Sequence, residues 1–126
     1  MTAKTTKHGW KVLPALIVVS MGLLVLAGCL YVGNILPVAI FTVTTTSGKS
    51  PLDVTFDASN SYDPDGTVTA WAWDFGPTQT GAIGELVIHR FTVATAPAQV
   101  FTVVLTVTDN DGGTDTAARN ITVDPP

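Results

Sequence analysis

Cysteine is almost absent from this chain of 126 residues: Cys29 stands alone, so no intramolecular disulfide can form. Whatever folds here is held by core packing and backbone pairing, which about 90 residues can support with modest stability. Histidine is nearly as scarce, and His8 and His89 are far apart in the chain. No nucleophile, base and orienting group occur as a set, and there is no zinc spacing or Gly-rich phosphate loop. The chain is therefore read as non-catalytic, with no cofactor and no small-molecule substrate. Basic residues are few and unevenly placed. Lys4, Lys7 and Lys11 lie near the start with no acid among them, whereas from Val38 onward three basic residues meet ten acids, a net charge of −7. An acidic region without a basic stripe argues against nucleic-acid binding and against docking on anionic lipid by charge.

Charge is missing altogether from residues 12–32, a nearly unbroken apolar run from Val12 to Val32. Roughly 20 apolar residues suffice to cross a bilayer, and positive charge stays on the cytoplasmic side of an inserted helix. The expected layout is a basic cytoplasmic N-terminus over 1–11, an anchor or signal helix over 12–32, a short hinge over 33–37, and an extracytoplasmic domain over 38–126. The domain would then lie in the periplasm or outside the cell.

The anchor has two readings. Leu26-Ala27-Gly28-Cys29, behind a basic and then an apolar segment, has the form of a bacterial lipoprotein signal, with Cys29 as the lipidated residue. A retained transmembrane helix is the alternative. Trp10 and Tyr31 flank the run like interface anchors and are 21 residues apart, about 31 Å at the helical rise. Leu30-Tyr31-Val32 also continues the apolar stretch where a flexible polar tether would be expected. Burial of the helix in a core is disfavoured, because the rest of the chain is β sequence.

Past residue 38 no stretch has helical periodicity. Alternating runs are separated by turn residues, as in a β-sandwich. Val38 to Thr46 is rich in β-branched residues. Leu52, Val54 and Phe56 share one face, as do Trp71, Trp73 and Phe75. Gly76 to Gly84 reads as a loop, and Leu86 to Val93 as a strand with Leu86, Ile88 or Val87, Phe91 and Val93 as candidates for burial. Phe101, Val103, Leu105 and Val107 alternate with polar or smaller residues, a tight turn follows at 109–113, and Thr114 to Val123 closes the sheet.

The segments PVAIF, SYDPDGTV, WAWDFG and FTVVLTVTDNDGGTDTAARNITV occur in that order. Together they resemble a PKD domain, the immunoglobulin-like module named for polycystic kidney disease protein, over about residues 34–124. The resemblance implies an all-β, immunoglobulin-like sandwich with Trp73 buried, the core motif Trp73-Asp74-Phe75-Gly76, and an extracellular binding or spacer role without catalysis. It also implies that Asp63 and Asp65 are the residues to examine for calcium, as some members bind calcium. Hard carboxylate and carbonyl oxygens on loops suit that ion, although Asp side chains also cap turns.

Two segments depart from the family pattern. Residues 77–84 and 94–99 replace short Gly turns with longer, more apolar stretches. Pro77, Ile83 and Pro97 are accordingly the candidate partner contacts. Asn120-Ile121-Thr122 is a formal glycosylation sequon that matters only in a host that glycosylates exported chains. The function expected is a membrane-anchored interaction module, an accessory subunit bracing a larger membrane complex from outside. The alternatives are a surface lipoprotein that binds glycan or matrix, and a filament or surface-layer subunit assembling through strand edges.

Overall fold

Alternation of apolar and polar residues builds two facing antiparallel layers. The computed structural model describes residues 32–126, so Trp10, Cys29, Tyr31 and nearly all of the 12–32 run lie outside the described residues. Residues 34–126 form one compact unit. Its strands are β1 (Thr42–Val43), β2 (Ser47–Lys49), β3 (Leu52–Asp57), β4 (Val68–Asp74), β5 (Ala82–Ile83), β6 (Leu86–Phe91), β7 (Gln99–Asp109) and β8 (Thr114–Asp124). Among the described residues no helix is long and apolar enough to cross a membrane.

One sheet has the order β1-β3-β6 and the other β2-β8-β7-β4-β5. All neighbours pair antiparallel except β2, which runs parallel to the end of β8, with Ser47 opposite Thr122. The long hairpin β7–β8 is the backbone of the larger sheet. It pairs from Gln99 with Val123 to Thr108 with Thr114, across a turn in which Gly112 takes a φ of 87°. That left-handed conformation is one glycine adopts without a Cβ penalty.

The core lies between the sheets. Val54 and Phe56 from β3, Trp73 from β4, Phe91 from β6, Val103, Leu105 and Val107 from β7, and Ile121 and Val123 from β8 are all buried there. Each set has the period of 2 that turns alternate side chains to one face. Aromatics dominate the middle. The Phe56 ring lies 5.4 Å from Trp73 and 5.2 Å from Phe75, and Phe41 meets Trp73 edge-on at 5.1 Å. Tilted and edge-on pairs of this kind contribute about 0.5–1.5 kcal/mol beyond their burial.

Several expectations shift. The run from Val38 to Thr46 forms regular strand only at Thr42–Val43, with Val38 bridging to Tyr62. The segment from Gly76 to Gly84 is not wholly loop, because β5 within it pairs Ile83 with Ala72 and Ala82 with Trp73. In β6 the alternation buries Phe91 and half-buries Val87, while Leu86 and Ile88 face solvent. A strand in a two-layer sandwich can turn only alternate residues inward.

Candidate functional site

The two ends of β7 carry different chemistry. At the Asp109 end an Asx-rich clasp gathers the start of the domain. Asn34 donates its side-chain amide to Asp109 Oδ2 at 2.8 Å, and the N–H groups of Asp111 and Gly113 donate to Asp109 Oδ1 at 2.8 and 2.7 Å. Asp109 is buried. The Asn34 hydrogen bond, together with the backbone donors, holds its carboxyl below the usual carboxylate range despite that burial. Ile35 N–H donates to Asp65 Oδ2 at 3.1 Å, Ala39 N–H to Asp115 Oδ2 at 2.9 Å, and Pro37 is buried. Residues 34–37 are thus tied into the domain.

Asp63 sits in the same region. Its Oδ1 accepts the N–H of Asp65 at 3.4 Å, while its buried Oδ2 has no partner. Burial is the main cause that pushes its carboxyl above the usual range, with Asp65 and Asp109 adding to it. A Cβ at Gly66 would crowd the side-chain oxygens of Asp63 and Asn110, one or both of which would have to shift. One oxygen of each residue considered for calcium is thus engaged by a backbone N–H, that of Asp65 at Asp63 and that of Ile35 at Asp65. Among the described residues no three His, Cys, Asp or Glu side chains converge as a metal-ligand group.

The motif Trp73-Asp74-Phe75-Gly76 is structural. Trp73 and Phe75 are buried, and Asp74 Oδ1 accepts the N–H of Gly76 at 2.8 Å, which closes a turn where Gly76 has a φ of 111°. Phe75 stacks on His89 at 3.9 Å, and burial lowers the His89 pKa. His89 also meets Gln79 Oε1 at 3.1 Å.

The opposite end of β7 carries a shallow cleft of about 360 Å³ between Gly76-Pro77-Thr78 and the Gln99–Thr102 stretch. Two of the three candidate contact positions belong to this end. Pro77 lines the cleft, and Pro97 is exposed two residues before Gln99. Ile83 is 86% exposed but lies on β5, opposite Ala72, and is not among the cleft-lining residues. The lining has no titratable side chain, so the cleft offers shape, hydroxyls and apolar contact rather than acid–base chemistry. Leu86 and Ile88, candidates for burial on sequence, are exposed here, as is Val100, which no sequence pattern marks. The signal for Leu86 and Ile88 was the parity of β6 with Phe91.

The architecture defines an immunoglobulin-like β-sandwich with no catalytic constellation among the described residues. The PKD domain family matches residues 34–123. The chain belongs to that family. It is 32% identical over 92 residues to a microbial collagenase of Vibrio alginolyticus, covering 73% of this chain and 11% of that protein. The PKD1 domain of Vibrio anguillarum Epp has the same fold, with a TM-score of 0.60 and 35% identity over 75% of this chain and all of that one. A solved chain from the carbohydrate-binding modules of the β-sandwich superfamily matches with a TM-score of 0.66 and 30% identity, over 74% of this chain and 36% of that one. The chain spans about a tenth or less of the length of the curated relatives it matches.

Proposed function

We propose that the protein is a membrane-tethered, non-catalytic PKD module that braces a larger membrane assembly from its outer face. The observation that carries this reading is the juxtaposition of a basic and then apolar stretch, residues 4–32, with an acidic domain that is already hydrogen-bonded from Asn34 onward. Only Gly33 separates the two in sequence, so a tether through 12–32 leaves the domain little slack. Asn34 enters at the Asp109 end, and the cleft beside Pro77 lies at the other end of β7, about 30 Å away along an extended strand. The cleft and Pro97 are the contacts offered to a protein partner.

Native mass spectrometry of the protein extracted gently from its own membrane tests the reading. A species that starts at Met1 and travels with other proteins in fixed ratio supports it. A lone species that starts at Cys29 with added acyl mass overturns it in favour of a lipoprotein. That second reading has its own support, because relatives are named as a collagenase and as carbohydrate-binding modules. Matrix or glycan would then be the ligand class.

A further inference from the structure

Three of the four sheet edges are stubs. β1 and β5 have two residues each and β2 has three, whereas β6 runs for six residues as the outer strand of its sheet. Ala58 N–H donates to Glu85 C=O at 2.9 Å. Antiparallel alternation therefore turns the backbone groups of Val87, His89 and Phe91 toward β3 and leaves those of Leu86, Ile88 and Arg90 directed at the open edge. The side chains of the same three residues stand on the outer face, with Leu86 64% and Ile88 70% exposed. Natural edges are protected by Pro, Lys, bulges or shortness. β6 has no Pro and no Lys, its one charged side chain, Arg90, is paired with Asp53, and its register with β3 is unbroken from Leu52 with Phe91 to Asp57 with Leu86.

We infer that β6 pairs antiparallel with β6 of a second copy of this chain about a twofold axis at Ile88, joining two three-stranded sheets into one. Charge selects a second copy as the occupant. From Val38 onward the chain carries a net of −7, yet β6 has Arg90 and no acid, and Arg90 is already paired with Asp53 at 2.7 Å. Pairing of two β6 strands therefore brings no acidic side chains of the strand together. In this register Ile88 faces its symmetry mate and Leu86 faces Arg90 of the second copy. No like charges stand opposite, and the arginine stem covers the leucine. The seam is roughly 20 Å long and falls short of the about 800 Å² per partner of a standard interface. Association is accordingly weak, in the range of about 0.1–1 mM. The pairing needs only the β domain and holds with or without the membrane tether.

The test uses residues 34–126, a compact unit with its own core whose solved relative is a single PKD domain. Sedimentation equilibrium up to about 2 mM is expected to show dimerisation. Amide exchange at Leu86, Ile88 and Arg90 should slow as concentration rises. Ile88→Lys, at an exposed position, should weaken association at least about tenfold while keeping the fold. Thr116→Lys, exposed on the other sheet, should leave association unchanged. A monomer at the highest concentration, a dimer indifferent to Ile88→Lys, or equal weakening by Thr116→Lys would overturn the inference.

Discussion

Trp73 donates its indole N–H to the backbone carbonyl of Gly84 at 2.8 Å. This one bond joins a buried ring of the family motif to the end of the segment in which the chain departs from the family. Gly84 N–H returns a bond to Trp71 C=O at 3.0 Å, and β5 pairs with β4 between them. The departure at 77–84 is therefore stapled onto the larger sheet. Trp73→Phe keeps most of the apolar burial but leaves the Gly84 carbonyl without its donor, so a loss of about 1–3 kcal/mol is expected. Trp73→Ala removes the ring as well and should cost about 3–5 kcal/mol. Urea unfolding of the β domain measures both, and a Trp73→Phe variant as stable as the wild type would show that the bond contributes nothing.

The backbone geometry makes a related prediction at two glycines. A Cβ on Gly81 would stand 2.7 Å from the Trp73 carbonyl oxygen, which is fixed backbone. Gly81→Ala should cost about 1–3 kcal/mol through overpacking. Gly76 has open space around it, but its φ of 111° strains any L side chain, so Gly76→Ala should cost a similar amount, about 1–3 kcal/mol. Chemical denaturation checks each, and a neutral Gly81→Ala would mean that β5 is free to move off β4.

These elements also show what was legible in sequence. The sandwich, the buried Trp73 and the alternation of β7 follow from period-2 patterning and from the Trp-Asp-Phe-Gly motif. β5 could not be read, because two residues carry no periodicity and its existence depends on long-range pairing with Ala72 and Trp73. The exposure of Leu86 and Ile88 was open because β6 is apolar on both parities, and only its pairing with β3 fixes which face is inside. The clasp of Asn34 on Asp109 joins residues 75 apart in sequence, a separation at which no local pattern acts.

Tryptophan exposure discriminates between partner classes. A glycan platform needs an open aromatic face, but Trp73 is buried and Trp71 is partly buried against the core, with its indole nitrogen buried and unpartnered. Iodide should therefore quench the fluorescence of residues 34–126 only weakly, with strong quenching appearing on unfolding. Strong quenching of the native domain would expose one of the two rings and favour the matrix or glycan reading.

Acid stability should be governed by two carboxyl groups in the same clasp whose pKa values are shifted in opposite directions. Asp109 has its folded pKa depressed, chiefly by the Asn34 hydrogen bond. Its stabilisation is thus present above the unfolded carboxylate pKa of about 3.9 and is lost as pH falls through the lower folded value. Asp63 has its folded pKa raised, chiefly by burial. The fold favours its protonated form, an advantage that is present below the unfolded pKa and lost as pH rises through the folded one. Asp109→Asn should lower Tm at neutral pH and shrink the Tm difference between neutral and strongly acidic solution. Asp63→Asn should raise Tm at neutral pH and leave it nearly unchanged in acid, where the native Asp63 is already neutral. Thermal unfolding followed by circular dichroism across this pH range reads both variants. Parallel curves for wild type and Asp109→Asn would show that the clasp does not depend on the charge of Asp109, and a lower neutral-pH Tm for Asp63→Asn would show that its ionised form has a stabilising partner.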